Sequence, residues 1–308
     1  MAYDIIGDIH GHADQLEALL KKLGYAIKSG AWRHPDRTAI FVGDFVDRGP
    51  GQLRTLEMVR GMLDAGSARA VMGNHEFNAI AWATPDPSND GYHLRHRHGA
   101  TGEKNRRQHE AFLAEIEPDS PEHATWVRWF LELPLWIEEP DFRVVHACWS
   151  PRHVDLLRSK LRPGNLMTPD LLEEASRRGN DLYGAIETVL KGAEVQLPGG
   201  YSFTDKDGHV RDTIRTRWWN PELTTYRSAF IGPPGVNIPD LPIAALDRLP
   251  EPDRPTFIGH YWFDPSEALT PASRRVACVD YSVAKGGPLA AYRFDGEAEL
   301  SASKFIAV

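Results

Sequence analysis

Three segments of this chain share one shape: an apolar run, a glycine, then acids, amides or imidazoles. They are IIGDIHG at 5–11, FVGDFVDRGP at 41–50 and VMGNHE at 71–76, and VVHA (144–147) and IGH (258–260) are shorter relatives of the pattern. Each apolar run reads as a buried strand, and buried strands rarely end in so much charge. Open α/β sheets keep their ligand sites just outside the carboxyl ends of their strands. The pattern therefore constrains the chain to a fold in which these strand ends converge. Taken singly, each segment is weak. An Asp-x-His is usually a turn with polar caps, Asp47 and Arg48 alone would pass for a surface ion pair, and His260 for a core histidine.

The spacing between the motifs supplies the elements. Residues 3–7 read as a strand, and Leu16, Leu19, Leu20 and Leu23 fall at helical spacing on one apolar stripe. Asp14 with Glu17 reads as a capping box, and Gly24 as the helix stop. A strand at 38–43, a helix over 52–65 and a strand in ARAVMG follow, the signature of a parallel α/β sheet. The rhythm breaks after Glu76, where 84–109 is polar and rich in His and Arg. A helical stretch around EHATWVRWFLELPLW precedes the strand FRVVHA, and 182–255 reads as irregular. TFIGH, RVACVDY and LAAYRF read as strands, the last two as a hairpin. The expected organisation is one domain, with a core of 1–77, 141–181 and 255–308 and insertions at 78–140 and 182–254.

Asp8, His10, Asp44, Asn74, His75, His146 and His260 all stand just past apolar runs. In extended chain, residues i and i+2 face the same side, so Asp8 and His10 can address one point. Oxygen and nitrogen donors without cysteine suit manganese, iron, zinc or magnesium rather than a soft thiolate metal. The donors exceed what one ion with open positions needs, and two ions sharing a carboxylate fit better. A formal net charge of −8 argues against a stable nucleic-acid partner. Two cysteines, Cys148 and Cys278, fit a reducing compartment rather than a disulfide framework. No basic leader opens the chain and no apolar run approaches ~18 residues, so a cytoplasmic protein without membrane association is expected.

In order, GDIHG, GDFVDRG, GNHE, VVHA and IGH resemble the signature of the calcineurin-like metallophosphoesterases. More narrowly they resemble the branch holding the phosphoprotein phosphatases and the diadenosine tetraphosphate hydrolases. The resemblance implies an α/β fold, a metallophosphoesterase-type β-sandwich flanked by helices, with a helical insertion and a later irregular one. It implies that Asp8 and His10 hold one divalent ion, that Asn74, His146 and His260 hold a second, and that Asp44 bridges them. Manganese is the foremost candidate, with iron, zinc, magnesium or nickel as alternatives. His75 would be the general acid, Asp47 its orienting carboxylate, and Arg48 a phosphate clamp; a second clamp is assigned to Arg217, with Arg215 next. Trp262 in GHYW stands where wider relatives carry a further histidine, and Cys148 replaces the glycine of HAG; Cys148 reads as a packing residue. The expected activity is hydrolysis of phosphomonoesters on a phosphorylated protein or small molecule, by attack of a metal-bridging hydroxide. The alternative is cleavage of dinucleoside polyphosphates. A phosphate-binding protein without turnover ranks last, because every ligand and His75 are present.

Overall fold

The computed structural model describes residues 2–204, 210–232, 235–244 and 248–308. Strand Ala2–Ile6 pairs in parallel with Arg37–Phe41, which pairs in parallel with Ala68–Ala70. On the other edge Ala290–Phe294 joins Ala2–Ile6 antiparallel, followed by Phe305–Ala307. A second sheet runs in the order Val276–Cys278, Thr256–Ile258, Arg143–Val145, Trp136–Glu138.

Strand alternation decides what each face buries. Ile5, Ile40, Tyr292 and Phe294 of the first sheet share a core with Val144, Phe257 and Ala277 of the second. The opposite faces, through Ile6, Phe41, Val145 and Ile258, join a larger core supplied by helices. Helix Ala13–Leu23 contributes the leucine stripe Leu16, Leu19, Leu20 and Leu23, and helix Gln52–Asp64 contributes Leu56, Val59 and Met62. Helices Pro151–Arg158 and Asp181–Lys191 add Leu157, Ile186, Val189 and Leu190. The architecture is an α/β sandwich of mixed sheets flanked by helices. Among the described residues no helix is long and apolar enough to cross a membrane.

Several local expectations are corrected. RVACVDY and LAAYRF do not pair as a hairpin: Val276–Cys278 runs parallel to Thr256–Ile258, while Ala290–Phe294 crosses to the first sheet. The edge of Ala2–Ile6 offers a longer ladder, and only an isolated bridge joins Asp280 to Leu289. Helix Ala13–Leu23 has no capping box: its N-cap is His12, so Asp14 lies inside the first turn, and Asp14 and Glu17 pair instead with Arg54 of the next helix. Gly24 does stop that helix, at φ 95°. The stretch from 182 is less irregular than its prolines suggest. Helix Asp181–Lys191 is capped by the Asn180 side chain, which accepts the Tyr183 N–H at 2.8 Å. Strands Glu194–Gln196, Thr213–Thr216 and Phe230–Ile231 then form a small sheet over Val195, Ile214, Tyr226 and Ile238. Within the polar stretch after Glu76, Gly99–Gln108 is helical.

Candidate metal centre

The strand ends do converge. Asp8 and His10 follow Ala2–Ile6, Asp44 follows Arg37–Phe41, and Asn74 and His75 open helix Asn74–Ala83. His146 and His260 follow two neighbouring strands of the second sheet. To turn these side chains inward the backbone adopts left-handed conformations at His10 (φ 48°), Asp44 (52°), Asp47 (73°), Arg48 (76°), His260 (69°) and Trp262 (53°). Each such residue costs roughly 1–2 kcal/mol, strain of the kind that gathers at functional sites. Glycine is required where backbone meets carboxylate: a Cβ on Gly73 would lie 2.2 Å from Asp44 Oδ1, and one on Gly259 2.0 Å from Asp8 Oδ1.

The imidazole tautomers follow from second partners. His10 Nδ1 lies 2.9 Å from the Val46 carbonyl, and His146 Nδ1 2.8 Å from that of Val42. Those nitrogens donate, which leaves each neutral Nε2 with a lone pair, the arrangement usual for metal-binding histidines. Asp44 Oδ2 then lies 3.4 Å from His146 Nε2, 3.7 Å from His10 Nε2 and 3.9 Å from His75 Nε2. Lone pairs facing a carboxylate repel unless a cation or proton lies between them. Among the described residues, Asp8 Oδ1, His10 Nε2 and His260 Nε2 are buried without a hydrogen-bond partner. Asn74 Oδ1 sits 2.8 Å from His260 Nδ1 and 3.1 Å from His146 Nε2.

Without a cation, protons divide unevenly over this cluster. Burial, reinforced by His75, pushes His10 down to about 3. Burial also opposes charge on His146, but Asp44 overrides it and lifts that imidazole to about 10. Asp8 is raised by burial and by the neighbouring Asp280 carboxylate. Two overlapping groups, His10–Asp44–His75 and Asp44–His146–His260, each bring their ligand atoms within 4.8 Å of one another. The residues fit a pair of divalent ions that share Asp44, and neither group includes a cysteine. Cys148 is buried.

Beside the cluster, His75 Nδ1 lies 2.5 Å from Asp47 Oδ2. Burial works against a charge on His75, but Asp44 and Asp47 outweigh it and raise its pKa. Burial likewise opposes ionisation of Asp47, yet His109 and His75 hold its carboxyl well below the usual range. Arg48 lies at the rim, its guanidinium 3.9 Å from the Trp262 ring centroid, with the Lys285 ammonium 4.0 Å from the same centroid. Arg217 is exposed, and its Nη1 donates to the Ser228 carbonyl at 3.5 Å. Arg215 is the arginine close enough to His260 to help burial lower that imidazole. Trp218 and Trp219 are buried, and Trp218 Nε1 donates to Tyr261 Oη at 2.9 Å, so this pair anchors the later segment.

Three residues around the site escaped the sequence reading. Glu76 is fully buried and accepts the backbone N–H groups of Asp44 (2.8 Å), Phe45 (2.8 Å) and Gly73 (2.9 Å), tying two site loops together. Its position three residues after a helix-capping glycine was the available signal. Asp280 accepts the Trp262 N–H at 2.8 Å and holds the turn after His260. It too is an acid just past an apolar run, in RVACVDY. His109 Nδ1 lies 2.6 Å from Asp47 Oδ1, so Asp47 stands between two imidazoles. Nothing in the basic stretch around His109 singled it out.

A family model described as calcineurin-like phosphoesterase matches residues 1–179, more than half of the chain. The asymmetrical bis(5'-nucleosyl)-tetraphosphatase PrpE of Bacillus subtilis (strain 168) is 49% identical over 76 residues, 24% of this chain and 31% of that protein. The Bacillus velezensis protein of that name is 34% identical over 155 residues, 48% of this chain and 56% of its own length. A symmetrical bis(5'-nucleosyl)-tetraphosphatase of Vibrio cholerae is 34% identical over 152 residues, 49% of this chain and 46% of that protein. The matches thus span between about a third and just over half of these curated relatives. The matched span carries Asp8, His10, Asp44, Asn74, His75 and His146, and His260, from beyond it, completes the second donor group. The chain belongs to the calcineurin-like phosphoesterase family.

Proposed function

We propose that this chain is a dinuclear metal-dependent hydrolase that cleaves a phosphoanhydride bond in dinucleoside tetraphosphates. It would sit on the diadenosine tetraphosphate side of the branch shared with phosphoprotein phosphatases. The observation that carries the hydrolase reading is one carboxylate, Asp44, ringed by three imidazoles beside the His75–Asp47 pair. The names of the relatives favour the anhydride over the phosphomonoester expected from sequence.

In this reading Asp8 and His10 would hold one ion, Asn74, His146 and His260 the other, and Asp44 would serve both; His10 and Asp44 share the first donor group with His75, and Asp44, His146 and His260 make up the second. When bound, such ions supply Lewis acidity toward phosphoryl oxygens and toward water. The rest falls to the chain itself. Arg48 presents a planar fork to the phosphate under attack, its orientation set by stacking on Trp262. Arg215, rather than Arg217, supplies the second cation on the His260 side. As water oxygen bonds to phosphorus, the bond to the bridging oxygen breaks, and His75 gives its Nε2 proton to the departing oxygen. Asp47 keeps that ring oriented through Nδ1. A positioned acid of this kind typically contributes ~100- to 10,000-fold.

The test is a substrate panel with added manganese, run beside metal analysis of the purified protein. Diadenosine tetraphosphate should be cleaved with a kcat/KM well above that for p-nitrophenyl phosphate or a phosphopeptide, and two ions per chain should be found. Turnover of monoesters alone would return the assignment to a phosphatase. A single ion would remove the shared-carboxylate mechanism.

A further inference from the structure

We propose that Arg95 binds the phosphate of the departing nucleotide, and that it tunes the site for polyphosphate chains over simple monoesters. This rests on the phosphoanhydride reading above.

Arg95 comes from the His- and Arg-rich stretch and is half-buried. Its backbone N–H donates to the Ala81 carbonyl at 2.9 Å. Its Nη1 donates to Asn78 Oδ1 at 2.8 Å and its Nη2 to Gln108 Oε1 at 2.7 Å. Both partners are neutral amides. They fix the guanidinium plane without neutralising it and leave N–H donors to spare. Among the described residues no carboxylate lies within ion-pair distance of Arg95, whereas its neighbour Arg97 is occupied by Asp119 at 2.8 and 2.9 Å and stacks 3.7 Å from the Trp82 centroid. A half-buried cation whose direct partners are all neutral is suited to receive an anion.

Its location identifies which anion. Asn78 lies three residues beyond His75 on helix Asn74–Ala83, on the same face and one turn of ~5.4 Å away at most. Gln108 directly precedes His109, whose ring binds Asp47. The two tethers of Arg95 are thus rooted beside the His75–Asp47 pair, and Asp47 is the nearby carboxylate that offsets part of the burial cost of this guanidinium. The proton donor marks the leaving-group side of the reaction. In a polyphosphate the departing atom is the bridging oxygen, so the next phosphorus is bonded directly to it, on the leaving-group side where the tethers of Arg95 are rooted. An alcohol or phenol leaving group offers no charge there. Arg95 is only partly buried, and its partner Gln108 is exposed.

The test compares kcat/KM on diadenosine tetraphosphate with kcat/KM on p-nitrophenyl phosphate, using the full chain with manganese. Arg95→Met should lower the ratio of the two at least 30-fold. Arg95→Lys keeps the charge without the fork and should lower it less; it also serves if the methionine variant does not fold. A ratio within threefold of wild type, whether both substrates suffer equally or neither does, overturns the proposal and leaves Arg95 a structural tether. If wild type cleaves only p-nitrophenyl phosphate, the phosphoanhydride reading falls, and inhibition of that reaction by ADP and by inorganic phosphate judges Arg95 separately. Selective loss of ADP inhibition by tenfold or more in Arg95→Met supports the phosphate contact, and equal loss of both refutes it.

Discussion

Removing the Glu76 carboxylate should unfasten the centre without touching a candidate ligand. Its two oxygens take three backbone N–H groups, from Asp44, Phe45 and Gly73, at 2.8, 2.8 and 2.9 Å, with no solvent access. Leaving a buried donor unsatisfied costs about 1–3 kcal/mol, so three of them amount to about 3–9 kcal/mol. Part of this is offset, because burial and the neighbouring Asp44 already raise the Glu76 carboxyl to about 7. A net loss of about 3–5 kcal/mol for Glu76→Ala is expected, a large share of a domain stability of ~5–15 kcal/mol. In Glu76→Gln one oxygen still serves Asp44 and Gly73, while the new amide faces the Phe45 N–H. That variant should lose about 1–3 kcal/mol. Urea unfolding followed by circular dichroism, with EDTA present, separates this effect from ion binding. Restoring the ions should then reveal affinity weakened by ~10- to 100-fold in Glu76→Ala, as for other groups that orient ligands. Midpoints for both variants within error of wild type, or a glutamine variant weaker than the alanine, would refute the account.

Three further outcomes follow from the same contacts. His109→Ala should cut kcat about tenfold with KM nearly unchanged, because Asp47 loses one of its two imidazoles and His75 its fixed orientation; an altered KM with normal kcat would count against this. Arg215→Ala should raise KM by ~10- to 100-fold while Arg217→Ala changes little, and the reverse order in steady-state kinetics would restore the original choice. Burial, with His109 adding to it, lowers His123 from 6.5 to about 4. The unfolded chain therefore takes up this proton first, and the stabilisation, complete above pH 6.5, is lost as pH falls toward 4. The melting temperature of wild type should drop across that window more than that of His123→Phe, and parallel curves would exclude the mechanism.

The parts of the centre that could be read early are those where chain neighbours carry the message. Asp8 and His10 share one motif, Asn74 and His75 another, and each follows an apolar run that can only be a strand. The leucine stripe of helix Ala13–Leu23 was equally plain, because helical periodicity is local. The Asp14–Glu17 capping box failed because the helix starts at Ala13, which puts Asp14 inside it, and both acids pair with Arg54 from another helix. Short strands such as Glu194–Gln196 left too few residues to show alternation against the surrounding prolines.

By itself, then, the sequence determined the parallel opening strands, the candidate donors and the family they resemble. Only the tertiary structure decided that Asp47 meets His109 across a separation of 62 positions and that Glu76 fastens the Asp44 loop. Periodicity and motif spacing record what a residue does within its own element. Which buried polar groups find each other depends on how elements from distant parts of the chain pack, and no local pattern encodes that.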